Sequence, residues 1–526
     1  MKIVIISPIL ITSLIKASQE LNEEFELELD LRIYYPNQID NEEISSDEIA
    51  EELKSADAVL VDLMGAGGRS IEIISSSLKG ERNTAVSLVV PMGRAFQEMM
   101  QITRLGSFHG AWLAERMAGM EMKGQPVDED PDALRKKIDK GRRMMEMALK
   151  MVQAGGRVMP VGPIKDAANY IKFTKYWKFG GRENYKNLLI LLLRDYLGVS
   201  LPPAGDPAER PDFGIYHPRH GYFEDLEEYL EAFGFNHRLP TIGFLFYGGR
   251  YFDQCRSAIE VLASSFEDMN IIPVYSDGIN NLKAMRRYFF RDGQPITDAI
   301  VNLTMFRLNG GPLGGNHQLT RDLLKEINAP LYTPASMHRR EVVDWMRSPT
   351  GLNPMEAIIS VIWPELDGSI EPIPCCGVGV IQGSSPPVQE VVTIPDRLIR
   401  IRSRIQKRIE LKTKPNEEKR VALIIYSYPP GEGNLGGASY LDVFKSIKSL
   451  LKRMKDEGFS VYVPEGKLHD LFEDLAIANT GQWFCAEKII KNSFYLSAEA
   501  YRNYFYSLPE KMQDEVTTAW GDVPGT

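Results

Sequence analysis

Two hydrophobic patterns alternate along the first ninety or so residues. "KIVIIS", "FELELDLRIYY", "ADAVLVDL" and "NTAVSLVV" are short apolar runs bounded by turn residues, and they predict strands. "SDEIAEELKSA" and "SIEIISSSL" space their apolar positions three and four apart, which predicts helices. Strands that are apolar on both faces, separated by amphipathic helices, imply a parallel sheet covered on both sides. Ser7-Pro8 after the first run predicts a helix start there, with Ser as cap and Pro in the first turn.

Residues 93 to about 200 change character to a helical, methionine-rich pattern. Eleven of the 21 methionines fall between Met92 and Met159, as in "GRRMMEMALKMVQ". Flexible core packing between helices explains them more simply than an adaptable binding surface does. A Pro/Gly-rich connector follows, "LPPAGDPAERPDFGIYHPRHGYF", and then a short acidic helix. Strand-like "TIGFLFYG", "NIIPVY", "AIVNLT" and "APLYTP" then alternate with helical stretches at 251–267, 280–290, 319–327 and 339–346, a doubly wound order. The charged run "DRLIRIRSRIQKRIELKTK" predicts a helix over 396–414, with a solvated basic face and Leu and Ile packed beneath. From Arg420 the alternation resumes: strand-like Val421–Tyr426, helix-like Tyr440–Met454, strand-like Phe459–Val463.

The expected fold class is therefore α/β and multidomain, with doubly wound, Rossmann-like parallel-sheet units and a helical insertion. The expected divisions are an N-terminal α/β domain at 1–92, a helical domain with its connector at 93–239, a second α/β domain at 240–395, a linker helix at 396–419 and the start of a third α/β unit at 420–526. At roughly 150 residues per domain, 526 residues allow three or four.

Composition narrows the function. A net charge of −10 argues against a nucleic-acid partner, which needs a basic face, and the familiar nucleic-acid signatures do not occur. Four cysteines without a CxxC fit neither a disulfide scaffold nor a structural zinc site, so a reducing cytoplasm is expected. The apolar start is interrupted by Pro8, Thr12 and Ser13 and lacks a small-residue cleavage site, so a buried first strand is expected there in place of a signal peptide. No run is long enough to span a bilayer.

Candidate chemistry sits in a few short stretches. "YSYPPGEGNLGGASYLDVF", 426–444, contains Gly431-x-Gly433-x-x-Gly436, the spacing of a dinucleotide turn. But Pro429-Pro430 intervene after the strand and remove amide donors that a phosphate would use. The acid that follows, Glu465, lies 29 residues beyond Gly436, against about 20 in a dinucleotide fold. A glycine loop lining another flat ligand, or a tight turn, is the better reading. No GxxxxGK[ST] occurs, so the chain is not expected to be a P-loop ATPase. His317 closes the glycine-rich "GGPLGGNH" beyond the end of "AIVNLT", and open α/β sheets bind ligands there. Asn302, Thr304 and Asn309 could add polar contacts. His217 and His220 flank Pro218, which suggests a structural turn. "WPELDG" pairs Glu365 with Asp367, an arrangement for metal or proton work or simply a turn.

Taken together, "ITRLGSF", "YWKFGGRENYKNLL", "GIYHP", "AIVNLTMFRLNGGP" with His317 behind it, "GLNPMEAIISVIWPELDGSIEPI" and "YSYPPGEGNLGGASYLDVF" occur in an order that resembles the large, tetrapyrrole-binding subunit of the ATP-dependent magnesium chelatases and cobaltochelatases. The resemblance spans essentially the whole chain, and "PELDG" and "PPGEGNLGGASY" are its most specific parts. It implies a tetrapyrrole substrate, Mg2+ or Co2+ as substrate metal, and ATP bound by a partner subunit. The implied partners are an AAA+ ATPase subunit and an adaptor. It makes the glycine loop a family signature of the chelatase body, whose Gly431, Gly433, Gly436 and Gly437 let backbone approach a flat macrocycle and whose Asn434 can bond a peripheral carboxylate. Glu465, at a strand end beyond that loop, and His317 become the candidate base or metal-delivering groups. Family chains are much longer and carry Trp-Gly-x-x-Pro-Gly mid-chain, whereas "WGDVPGT" stands here from Trp520. The expectation is the N-terminal half: a fragment, a split product with a separate C-terminal half as partner, or a reduced paralogue acting as a non-catalytic tetrapyrrole carrier or regulator.

Overall fold

A computed structural model describes residues 1–63, 67–79, 86–90, 99–111, 162–311, 314–380, 389–426, 436–476 and 496–523. The chain divides into two compact units, Met1–Ile409 and Glu410–Thr526. The methionine-rich "GRRMMEMALKMVQ" lies outside the described residues.

Two doubly wound sheets organise the first unit, as the apolar runs require. The first has the order β2-β1-β3-β4-β5-β6. Its strands β1 (Lys2–Ile6), β2 (Asp30–Tyr34), β3 (Ala58–Val61) and β4 (Val86–Val89) are parallel, and β5 (Arg104–Leu105) and β6 (Phe108–His109) add an antiparallel edge. Ile3–Ile6 and Ala58–Val61 are wholly buried, which is the consequence of covering a parallel sheet on both faces. The helices Gly162–Phe179 and Gly181–Asp195 pack on this sheet through a row of rings. Phe108 and Tyr170 stack at 4.9 Å, Trp177 meets Tyr185 at 6.0 Å, and the Tyr170 hydroxyl donates to the Val89 carbonyl at 2.8 Å.

The second sheet has the order β14-β13-β9-β10-β7-β8. Here β9 (Thr241–Tyr247), β10 (Asn270–Ser276), β13 (Ala299–Asn302) and β14 (Leu331–Tyr332) are parallel. The connector supplies an unexpected antiparallel hairpin on its edge, β7 (Phe213–His217) with β8 (Gly221–Phe223). The small ribbon β11 (Phe290–Arg291) with β12 (Gln294–Pro295) lies between β10 and β13 in the chain. A third sheet, β15 (Ala335–Glu341), β16 (Pro374–Val380) and β17 (Gln389–Thr393), was not foreseen either. Residues 339–341, expected to begin a helix, end β15 instead, and the helix there covers Val342–Arg347. The Pro395–Thr413 helix does behave as its pattern says: Leu398, Ile401, Ile405 and Ile409 are buried in one core with β9 and β10 residues.

The helix after β1 starts later than Ser7-Pro8 suggests. It covers Thr12–Phe25, and the Ser7 hydroxyl instead closes a local turn with Ile9. The reason lies far away in sequence. Asp253 accepts from the Ser13 N–H at 2.8 Å and from the Ser13 hydroxyl at 2.7 Å, so a carboxylate from the residues after β9 caps this helix N-terminus.

The second unit departs most from expectation. The helix appears as Val443–Asp456, but Val421–Tyr426 and Phe459–Val463 form no strands. A strand exists only with a hydrogen-bonded neighbour, and neither segment has a ladder partner among the described residues.

Candidate site at the carboxyl edge of the second sheet

In both sheets the strand order reverses beside the first strand, which creates a crevice at the carboxyl ends, between β1 and β3 and between β9 and β13. The first crevice is filled by the protein itself. Asp62, directly after β3, is buried and accepts from Arg250 Nη1 at 2.5 Å and from Trp177 Nε1 at 2.9 Å. Burial works against the Arg250 charge, but Asp62 and Tyr251 outweigh it and hold the guanidinium protonated. Asp253 occupies the neighbouring helix N-terminus, where an anionic ligand would otherwise sit. Gly180 of "FGGRENYKN" fits against the same segment: a Cβ there would meet the Arg250 Cα at 2.7 Å. That motif therefore seats one sheet on the other.

The second crevice gathers polar groups. Asn302, at the end of β13, accepts through Oδ1 from the Thr304 N–H at 3.0 Å and from the Thr304 hydroxyl at 2.7 Å. Asn281, opening the helix after β10, donates Nδ2 to Thr304 Oγ1 at 3.3 Å. Both asparagines are buried, and the far ends of their amides, Asn302 Nδ2 and Asn281 Oδ1, have no partner. An orphaned buried amide group costs about 1–3 kcal/mol. The site thus holds an unused donor and an unused acceptor.

Backbone strain borders the cluster. Met305 and Phe306 both adopt left-handed conformations, with φ of 53° and 51°. Gly310 (φ 80°) approaches the Gly314 carbonyl so closely that a Cβ would lie 2.1 Å from it. Asn309 Nδ2 donates to the Asn316 carbonyl at 2.9 Å, and Asn316 caps the His317–Ile327 helix by accepting from Gln318 N–H. His317 is the first residue of that helix and is exposed, so the structure puts an imidazole at the rim and three neutral side chains beneath. Asparagines and a threonine do not move protons near neutrality; they position a ligand's polar groups.

Asp367 holds the strained segment from behind. It takes Arg307 through Nε at 2.9 Å and Nη2 at 2.7 Å, and the Leu308 N–H at 2.8 Å. Glu365 points to solvent. The two carboxylates of "WPELDG" do not act as a pair. Asp367 is a clamp, and the adjoining Ile358–Ile362 π-turn, whose Ile359 carbonyl accepts from the Phe306 N–H at 2.9 Å, completes it.

The other anticipated site residues lie elsewhere. Gly431, Gly433 and Asn434 fall outside the described residues. Gly436 has φ 70° and donates its N–H to the Tyr426 carbonyl at 3.1 Å, which brings the two ends of the glycine loop together. Gly437 beside it is exposed, and Glu465 is exposed in a bend of the second unit. Asn281 was not anticipated; its signal was the Asn280-Asn281 pair just past the end of β10. His217 is buried in the β7–β8 hairpin against His220, Tyr229 and Phe233, as a structural turn demands. Burial pushes the Cys255 thiol up to about 12, away from the thiolate form that a nucleophile uses. Among the described residues no three His, Cys, Asp or Glu side chains converge as a metal-binding set, and no helix is long and apolar enough to cross a membrane.

Sequence and structure comparisons show which known proteins the chain is similar to. A family model described as CobN/Magnesium Chelatase matches residues 174–526, and one described as a domain of unknown function (DUF3479) matches residues 2–171. An uncharacterized protein of Methanocaldococcus jannaschii is 32% identical over 67% of this chain and 30% of its own length. The chloroplastic magnesium-chelatase subunit ChlH of Oryza sativa is 28% identical over 69% of this chain and 26% of its own. The aerobic cobaltochelatase subunit CobN of Pseudomonas aeruginosa is 25% identical over 67% and 28%. The solved catalytic subunit of cobaltochelatase from Mycobacterium tuberculosis shares the fold over 100% of this chain and 36% of its own, with a TM-score of 0.51 at 17% identity. The chain matches between about a quarter and a third of the length of these curated relatives.

Proposed function

The chain belongs to the CobN/magnesium chelatase family, and on that premise we propose that it is the N-terminal, tetrapyrrole-binding part of the large subunit of an ATP-dependent chelatase that inserts Mg2+ or Co2+ into a tetrapyrrole. The observation that carries this reading is the family match over 174–526, which includes the second crevice and its orphaned amides. Asn302 Nδ2 is a donor suited to a peripheral carboxylate of the macrocycle, and Asn281 Oδ1 suits a donor on the same ligand.

Insertion makes two chemical demands. The pyrrole N–H protons must leave, which needs a base; Glu465 and His317 are the candidates. The hydrated substrate metal must be stripped, and magnesium dehydrates reluctantly. Energy input therefore helps, and without a P-loop in this chain ATP hydrolysis falls to a partner. An AAA+ ATPase subunit and an adaptor are the partners this assigns.

A second reading, a non-catalytic tetrapyrrole carrier or regulator, is favoured by the second crevice, whose asparagines and threonine position a ligand and do not move protons. Fluorescence-quench titration with protoporphyrin IX and with a cobalt-free corrin precursor tests the binding both readings share. Saturable binding of one ligand identifies the branch. Binding of neither, alone or with the remaining part of a family chain added, overturns both.

A further inference from the structure

The Pro395–Thr413 helix carries seven Lys or Arg residues against two Asp or Glu, in a chain whose net charge is −10. Its apolar side is committed to the core, where Leu398, Ile401, Ile405 and Ile409 are buried. Arg402 is committed as well: it donates to the Ser265 carbonyl at 2.6 Å and to both Asp268 oxygens at 3.0 and 3.1 Å. Arg397, Arg400, Arg404 and Arg408 follow at steps of three and four, which puts them on one further face over about 16 Å of helix. Arg408 and Arg404 both act on the Tyr332 hydroxyl, which burial and then Glu371 push up and the two guanidiniums pull back.

Beside this face lies a groove of about 450 Å³, walled by Arg397, Arg400 and Arg404 and floored by Pro372, Ile373 and Pro374. The floor has no N–H to offer. Both prolines lack one, and the Ile373 N–H donates to the Glu371 carbonyl at 2.8 Å. The donors of the groove are therefore its guanidiniums, which accept nothing. Its one carboxylate, Glu371, is already held by Arg404 at 3.0 and 3.1 Å. Arg397 stands 5.6 Å from the centre of the Trp345 ring and 3.3 Å from Asp396 Oδ2, yet its buried Nε makes no hydrogen bond. Arg400 and Arg408 are exposed and meet no carboxylate among the described residues. A basic face that only meets water requires neither a groove nor an apolar floor.

We propose that this groove is a docking surface for an acidic, extended peptide segment of a partner protein, its carboxylates on the arginine wall and its side-chain hydrocarbon against Pro372–Pro374. Charge and spacing both carry this occupant. A guanidinium and a carboxylate form two parallel hydrogen bonds. Side chains on one face of an extended peptide recur every ~6.7 Å, close to the ~6 Å between arginines four residues apart on a helix. Nucleic acid fits less well, because the net charge of −10 repels a long polyanion and phosphates gain nothing from an apolar floor. The inference stands apart from the tetrapyrrole reading, since it uses no residue of the second crevice.

The test is fluorescence anisotropy of a labelled peptide of alternating Glu and Val, titrated with the full chain at low salt. Saturable binding is expected, and it should weaken as salt screens it. Arg400→Glu with Arg408→Glu should weaken it about tenfold or more. Arg238→Glu with Lys54→Glu, an equal change of charge at exposed sites elsewhere, should leave it within about twofold. Both double variants should melt with the parent, because none of the four side chains is buried. Absence of saturable binding, equal losses in the two double variants, or equally tight binding of the peptide with Gln in place of Glu overturns the proposal. So does displacement of the peptide by an equimolar amount of pyrophosphate, which assigns a small-anion site, or of oligothymidylate, which assigns a nucleic-acid surface.

Discussion

Arg250 Nη1 lies 2.5 Å from Asp62 Oδ2, a buried ion pair joining the carboxyl edges of two sheets across 188 residues of chain. Trp177 adds a third member from the helical layer. Removing one side of a buried pair leaves an uncompensated charge and costs about 3–5 kcal/mol. Arg250→Ala should therefore lower stability by about that amount in denaturant titration. Arg219→Ala, which breaks an exposed pair with Glu267, should change it by less than about 1 kcal/mol. Equal effects would mean that the interface is not held as described.

The "PELDG" stretch separates into a structural and a solvent-facing carboxylate, and a mutant pair can check this. Asp367 makes three charge-assisted bonds to Arg307 and to the Leu308 N–H, so Asp367→Ala should cost about 3 kcal/mol or more. Glu365→Gln should stay within about 0.5 kcal/mol of the parent. Thermal unfolding of both variants decides it. A catalytic pair would instead leave stability alike and remove activity in both.

Acid should weaken the β7–β8 hairpin. Burial, then the neighbouring His220 and Arg219 charges, lowers His217 to about 4, from an ordinary value of 6.5. The depressed folded value means the native state binds fewer protons than the unfolded chain between those limits. The neutral-imidazole contribution is thus complete above pH 6.5 and is lost as pH falls toward 4, on the order of 2 kcal/mol once solvent screening of the ring is allowed for. His217→Asn or His217→Gln should flatten the pH dependence of stability in that window. An unchanged slope would remove His217 as its source.

The sheets of the first unit were legible because β1, β3, β9, β10 and β13 are apolar on both faces and bounded by turns, a pattern that survives any tertiary context. β15–β17 were not. "ASMHRRE" carries too many charges to read as a strand, and it pairs with β16 because Cys375 and Cys376 enter the core behind β9. In the second unit the pattern was legible and the sheet is still missing among the described residues, because periodicity reports what a segment can bury and says nothing of who covers it. The candidate site was half legible: Asn302, Thr304 and Asn309 lie near one another in sequence, whereas Asn281 and Asp367 arrive from other elements. No local signal could foretell that Asp253 caps a helix 240 residues away.

Glu465 tests the chemistry apart from binding. If it accepts pyrrole protons or delivers the substrate metal, Glu465→Gln should abolish insertion in the assembled system and leave tetrapyrrole affinity within about twofold. Its exposed position predicts no loss of thermal stability. Unchanged insertion would leave His317 as the candidate base, and His317→Ala measured in the same assay would then carry the question.

Asn281 offers the sharpest test of the second crevice, because its structural and ligand-binding roles predict opposite results. In the chain alone its Oδ1 is buried without a partner, and its Nδ2 makes one long bond of 3.3 Å to Thr304. Replacing a buried, poorly satisfied amide with an apolar side chain of similar volume is close to neutral or stabilising. Asn281→Leu should therefore keep or raise the melting temperature. If the orphaned acceptor exists to meet a tetrapyrrole, the same variant should bind it about tenfold more weakly, the equivalent of about 1.4 kcal/mol. A variant that is destabilised by 2 kcal/mol or so and binds normally would make the cluster a packing feature with a water at its centre. One that is stable and binds weakly would make Asn281 part of the ligand's own hydrogen-bond set.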